Sequence, residues 1–265
     1  MKEIWNGGQP VLNGWLSVGH TFTAEVMAAQ GYDGVTIDLQ HGVVDPVMVV
    51  PMLQAMRASG VVPMVRVPWN EPGIIMRVLD AGAYGVICPM VNTADEAAAF
   101  VRSMRYPPMG ERSFGPTRAA LSMGDNIPYE ANDEVLAFAM VETREAIDNI
   151  DAIAATPGLN GIYVGPADLT FSLHGGKYPP ALDREEEEMI VVLKEVIAAC
   201  HRAGIKAALH CGSSRYAARA VEWGFDLVSV ASEARLMAAA AAASVGEFRT
   251  LTGTADTAAK GKVGY

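Results

Sequence analysis

Four charged residues stand where apolar runs of this sequence stop. Asp38 closes VTID, Arg66 closes VPMVR, Glu142 follows LAFAMV, and Asp168 lies just past GIYVGPA. One such residue could be an ordinary ion-pair partner, but four on four separate runs point to a shared site. Glu142 and Asp168 belong to successive runs, so in one sheet their carboxylates come close together. Two buried carboxylates side by side cannot both stay ionised without a cation. Hard oxygen ligands with room for water and substrate favour Mg²⁺ or Mn²⁺ over zinc, and Co²⁺ is compatible with the same set. The competing expectation is that Arg66 or Arg144 neutralises one of the pair.

Asp38 and His41 form an Asp-x-x-His unit. A carboxylate beside an imidazole fixes its tautomer and raises its basicity, which suits a general base. The plainer reading is a helix-entry carboxylate followed by a solvent-facing histidine. Strand alternation gives Thr36, Asp38 and Gln40 one inward face and leaves His41 at the mouth. His210 and His174 can line a pocket, although neither has a second motif residue and structural roles suit them better. The six lysines are Lys2, Lys177, Lys194, Lys206, Lys260 and Lys262, and none ends an apolar run. That placement speaks against a Schiff-base mechanism, which needs a buried lysine there. The turn Gly212-Ser213-Ser214 has the composition of a phosphate-binding corner.

These residues need a scaffold that brings run ends together. Strands are expected at 10–18, 33–39, 61–67, 85–91, 135–142, 160–166, 205–211 and 225–231. Their nearly continuous apolarity is that of parallel strands buried on both faces. Amphipathic helices are expected at 21–30, 46–58, 72–82, 94–104, 143–156, 184–203, 214–223 and 233–251. Gly31, Gly60, Gly82, Gly158, Gly204 and Gly224 each close a helix just before the next strand. Eight strand–helix units predict an α/β chain folded as a (β/α)₈ TIM barrel over 1–252, with 253–265 as a flexible tail. A doubly wound sheet is the rival, but no GxGxxG follows the first strand. The long Pro/Gly-containing insert at 105–134 is expected to be functional or to contact another subunit.

Composition excludes whole classes of function. The chain has 265 residues, 51% hydrophobic and 19% charged, which is ample for a packed core. Twenty basic against thirty acidic residues give a net charge of −10, which disfavours nucleic acid or an anionic membrane as partner. Three cysteines without a CxxC pairing indicate neither a disulfide framework nor a zinc cluster. No apolar run approaches a membrane span, and the first residues lack the pattern of a signal peptide, so a cytoplasmic location is expected.

Several motifs then become recognisable together. IDLQHG at 37–42, VRVPWNEP at 65–72, LDAGAYGVICPMVNTADEA at 79–97, RYPPMGERSFGP at 105–116, VETREA at 141–146 and GPADL at 165–169 resemble the HpcH/HpaI family. These are metal-dependent 2-oxo acid aldolases, and the likeness runs in order from about residue 10 to 250. The resemblance implies a carbon–carbon lyase that makes or cleaves a 4-hydroxy-2-oxo acid from pyruvate or hydroxypyruvate and an aldehyde. It also implies a homo-oligomer, a hexamer, with the last helix exchanged between subunits. By position, Glu142 and Asp168 match the family's metal carboxylates, and Arg66 matches the arginine at the 2-oxo oxygen. His41 and Asp38 match the pair assigned to base catalysis. The turn Gly165-Pro166-Ala167-Asp168 matches the one whose amides hold the substrate carboxylate. Two positions depart from the heptanedioate aldolases: Gln40 replaces a Glu and Met140 replaces a Gln. These variants resemble members described as hydroxypyruvate or broad-range 2-oxo acid aldolases. The alternatives are a CoA-thioester lyase of related citrate-lyase-like barrels, or a non-catalytic metabolite-binding barrel.

Overall fold

A computed structural model describes residues 1–123, 127 and 129–254. Most of the expected tail, 255–265, and residues 124–126 and 128 of the insert lie outside the described residues. The eight strands are β1 (Val11–Leu16), β2 (Gly34–Asp38), β3 (Val62–Arg66), β4 (Gly85–Cys88), β5 (Leu136–Val141), β6 (Gly161–Val164), β7 (Lys206–Cys211) and β8 (Leu227–Ser232). They pair in parallel and in sequence order, and β8 returns to β1 to close the barrel. Every expected strand forms. Most ends are trimmed by one to three residues, since pairing stops where the chain turns over the rim; the start of β4 and the end of β7 fall as expected, and β8 runs one residue further.

Two apolar layers hold the barrel. Inside it, Val11, Trp15, Met64, Phe138, Met140 and Tyr163 interdigitate. The opposite face of each strand, including Val35, Ile37, Val65, Val86 and Ile162, packs under the surrounding helices. A strand buried on both faces carries no polar stripe, and this is the physical source of the continuous apolar runs. The helix Lys2–Asn6 plugs the amino-terminal end, its Trp5 Nε1 donating to the Asp226 carbonyl at 2.9 Å. All six expected glycine caps have left-handed φ, from 72° at Gly204 to 115° at Gly224.

The helical layer departs from expectation in the fifth and sixth units. The helix expected over 143–156 is two short ones, Arg144–Asp148 and Ile150–Ala154, broken at Asn149. The sixth unit gains the unexpected helix Pro166–His174 before the long helix Glu187–Ala203. Within the insert, Arg105 is buried and donates to the Val135 and Gly158 carbonyls and to Asn160 Oδ1. Those partners precede β5 and β6, so this arginine anchors the barrel end remote from the strand termini that carry the charged residues.

Candidate active site

Strand register places the charged residues. Asp38 pairs directly with Arg66 across β2 and β3, and Val141 pairs with Val164 across β5 and β6. Glu142 and Gly165 therefore follow side by side. Around them opens a cavity of about 830 Å³ at the carboxyl ends of the strands. Asp38, His41, Arg66, Met140, Glu142 and the Gly165–Asp168 turn all line it, as does His210.

Asp38 and Arg66 form a buried fork-to-fork pair. Arg66 Nε donates to Oδ1 at 2.8 Å and Nη2 to Oδ2 at 2.6 Å. Trp15 Nε1 donates to Oδ2 at 3.2 Å, and the Gln40 and His41 amides donate to Oδ1 at 3.0 and 3.2 Å. Burial alone would raise the Asp38 carboxyl. The Arg66 bonds and charge, with the His41 amide and Trp15, outweigh burial and hold it below the usual range. The guanidinium also lies 4.9 Å from the centre of the Trp15 ring, so its plane is fixed from two sides.

This geometry corrects the expected Asp38–His41 dyad. Asp38 bonds the His41 backbone amide, not its ring; the exposed imidazole lines the cavity with no hydrogen bond among the described residues. Gln40 is displaced too. β2 ends at Asp38, strand alternation lapses, and Gln40 is not among the cavity's lining residues; its Oε1 is buried without a partner. His174 is likewise off the cavity, 4.0 Å from Glu188. The Gly212-Ser213 corner is filled from within. Asp183 Oδ1 accepts the Gly212 amide at 2.6 Å and Oδ2 the Ser213 hydroxyl at 2.7 Å.

Glu142 is buried, and its Oε1 accepts the Met90 amide at 2.9 Å. Met90 has φ 55°, a left-handed backbone that aims this amide inward. Gly165 leaves the gap occupied by Glu142 Oε2; a Cβ there would collide with that oxygen. Burial first, and then the charge of Asp168, push the Glu142 carboxyl up to about 7, against the Met90 bond and Arg66. Asp168 is exposed in the first turn of Pro166–His174. Neither expected arginine neutralises the pair: Arg66 is committed to Asp38, and Arg144 Nη2 bonds the Leu173 carbonyl at 2.7 Å.

Among the described residues no three His, Cys, Asp or Glu side chains converge as a metal cluster. The donor set at the cavity is two carboxylates, and Glu142 Oε2 accepts no hydrogen bond among the described residues. An unbonded oxygen on a buried, adversely ionised carboxylate fits a hard divalent cation whose other ligands are water and substrate. The residues present fit such an ion.

Sequence reasoning missed Trp15, Tyr163 and Met90. The first two sit at inward positions of β1 and β6, so strand parity could have found them. No sequence signal marks the backbone of Met90.

The architecture is an eight-stranded β/α barrel with an arginine–aspartate pair and two further carboxylates at the carboxyl ends of its strands. The chain belongs to the HpcH/HpaI aldolase/citrate lyase family, whose model matches residues 13–240. It is 41% identical over 251 residues to a hydroxypyruvate/pyruvate aldolase of Rhizorhabdus wittichii, covering 95% of this chain and 99% of that one. It is 35% identical over 223 residues to a 5-keto-4-deoxy-D-glucarate aldolase of Salmonella paratyphi C, covering 83% and 84%. A solved HpcH/HpaI aldolase/citrate lyase family protein from Burkholderia cenocepacia superposes with a TM-score of 0.85 at 32% identity, covering 94% and 98%. The related aldolases are carbon–carbon lyases acting on 2-oxo acids, and the family is generally dependent on a divalent metal.

Proposed function

We propose that this chain is a divalent-metal-dependent aldolase that joins pyruvate or hydroxypyruvate to an aldehyde and reverses the reaction. The carrying observation is the placement of Arg66 and Glu142 in one cavity beside a helix amino terminus, in a chain with relatives named as such aldolases. Glu142 and Asp168 would hold Mg²⁺ or Mn²⁺, which supplies Lewis acidity toward the 2-oxo acid. The free amides at Ala167 and Asp168 begin a helix and favour the donor's carboxylate.

In the cleavage direction, His41 takes the proton of the 4-hydroxyl, directly or through water. The oxygen's electrons form the aldehyde carbonyl, the C3–C4 bond breaks, and its pair passes to C3 and the 2-oxo oxygen. Arg66, held in place by Asp38 and Trp15, stabilises the charge developing on that oxygen. Proton return to C3 completes the turnover, and synthesis runs the same steps backwards. Asp38 is thus a positioning residue for Arg66 in this reading.

We further propose a homo-oligomer, a hexamer, working in the cytoplasm. The helix Glu233–Thr252 leaves Leu236, Met237, Phe248 and Leu251 exposed. Beside β8 and β1, an apolar groove is lined by Leu12, Ala217, Val221, Val228 and the helix's own Leu236. An exposed apolar helix face continuing from an apolar groove supports contact with a second subunit. Among the described residues no helix is long and apolar enough to cross a membrane.

The deciding experiment is a panel of pyruvate and hydroxypyruvate against several aldehydes, with Mg²⁺, Mn²⁺ or excess chelator, read by product mass. Aldol products that vanish with chelator and with Glu142→Gln are expected. Full activity in chelator, or a borohydride-trapped lysine adduct, overturns the mechanism.

A further inference from the structure

A buried polar chain underlies the cavity floor. Tyr163 Oη lies 2.6 Å from Ser229 Oγ and 3.0 Å from His210 Nδ1. Ser229 Oγ also receives Asn13 Nδ2 at 2.9 Å, and Asn13 Nδ2 reaches Thr36 Oγ1 at 2.9 Å. The contact with His210 uses one proton, carried either by the Tyr163 hydroxyl or by Nδ1, and the Ser229 hydroxyl can give or take the other. In both arrangements Tyr163 satisfies Nδ1, and Nε2 is left as an unpaired lone pair or N–H. Burial first, and then the charges of Arg66 and Arg235, push the imidazole down to about 3, so it is neutral at working pH.

His210 lines the cavity, and Nε2 has no hydrogen-bond partner among the described residues. Its position is set by Trp15, whose ring centre is 4.5 Å away edge-on, while Arg66 lies over the same indole. His210 and Arg66 thus both pack on the Trp15 indole. Other polar groups around that indole are already committed. Trp15 Nε1 and two nitrogens of Arg66 are bound to Asp38, and both Asp38 oxygens are filled. A substrate group on this side of the cavity therefore meets an unpaired ring nitrogen that a hydroxyl, able to donate or accept, satisfies and a methyl does not.

We propose that His210 Nε2 hydrogen-bonds the 3-hydroxyl of the 2-oxo acid donor, making His210 the residue that favours hydroxypyruvate over pyruvate. The assignment rests on the aldolase reading above, because that reading seats the donor at Arg66, in the same cavity. The aldehyde is left the outer cavity, with His41, Phe171 and Arg235. Tyr163 is a positioning residue that acts by holding the His210 ring through Nδ1.

The test measures binding of each donor to the metal-loaded protein by calorimetry without aldehyde, and kcat/KM for each donor with one neutral aldehyde. His210→Phe lowers the hydroxypyruvate-to-pyruvate ratio about tenfold in both measurements, the scale of one lost hydrogen bond between neutral groups. His210→Gln, which keeps a donor and an acceptor, restores most of the ratio. Tyr163→Phe lowers it by a smaller factor, because the ring loses its Nδ1 anchor. Equal losses on both donors, or an unchanged ratio in His210→Phe, overturn the proposal while leaving the aldolase reading standing. Wild-type protein that neither binds nor turns over either donor overturns both.

Discussion

If Asp38 acts through Arg66, the two residues must behave as one unit in kinetics and in stability. Asp38→Asn keeps an oxygen for Arg66 Nε and the two amides, but turns an NH₂ toward Arg66 Nη2, where Oδ2 now accepts at 2.6 Å. Both side chains are nearly inaccessible, at 4% for Asp38 and 12% for Arg66. Removing one partner of such a pair leaves a buried charge uncompensated, a loss of about 3–5 kcal/mol in fully buried cases. With part of the contact retained, about 3 kcal/mol is expected, seen as a fall in melting temperature of roughly 6–12 °C for a chain of this size. Arg66→Lys keeps the charge and loses the fork. Each single variant should lower kcat/KM about 100-fold, and the double variant should be little worse than either. The coupling expected from that cycle is about 1–3 kcal/mol. A second cycle pairing Asp38→Asn with His41→Ala should be additive to within about 0.5 kcal/mol, because the ring of His41 does not touch Asp38. Strong coupling to His41 with additivity to Arg66 would show that a catalytic dyad, not the ion pair, governs Asp38.

His41→Ala should slow aldol turnover by roughly 10²–10⁴-fold, the scale of a lost general base, with metal affinity preserved in calorimetry. Exchange of donor C3 protons with solvent needs no aldehyde and should slow in parallel; unaltered exchange would restrict His41 to positioning the aldehyde. His210 also makes the fold sensitive to acid. Its folded pKa, about 3, lies below the ordinary 6.5, so the contribution is complete above pH 6.5 and is lost as pH falls from 6.5 toward 3. The loss is at most roughly 4–5 kcal/mol, and less in practice because one edge of the ring meets the cavity. Melting curves between pH 8 and 4 should therefore be flatter for His210→Phe than for wild type, and parallel curves would refute this. Phe248→Glu or Leu251→Glu should shift sedimentation at micromolar concentration toward smaller species, and an unchanged assembly would clear that helix of the interface.

The barrel was legible because its evidence is repetitive. Each apolar run reports a strand buried on both faces, and each terminal glycine reports a helix forced to turn back. The site was legible only as far as parity holds. Asp38 and Arg66 were found as inward residues at strand ends, but their partnership depends on the β2–β3 register, which pairs them directly. Composition carries no register, so the nearer His41 looked like the partner of Asp38. Gln40 failed for a related reason: alternation was carried two residues past the end of β2. The helix Pro166–His174 did carry its signals, Pro166 at the first position and left-handed Gly175 past the end. They were overlooked because nine residues between glycines read as a loop. The Asp183 latch on Gly212 and Ser213 joins residues about thirty apart across an irregular loop, and no periodicity records it.

The treatment of Glu142 ties these features together. A left-handed non-glycine residue costs on the order of 1 kcal/mol, yet Met90 adopts φ 55° and delivers its amide to this carboxylate. Gly165 gives up its side chain to make room for the other oxygen. Both features favour a carboxylate at this place, whereas burial opposes its charge and raises its pKa to about 7. The chain's own cations do not resolve that conflict, because Arg66 is committed to Asp38 and Arg144 to the Leu173 carbonyl. A fold that shapes its backbone around a buried acid and commits its nearby arginines elsewhere leaves that acid to be neutralised by a proton or by a cation from the cavity, and the proposed divalent ion would fill the second role. This is the strongest physical support for a bound divalent cation in the proposed function, and it stands independently of family resemblance.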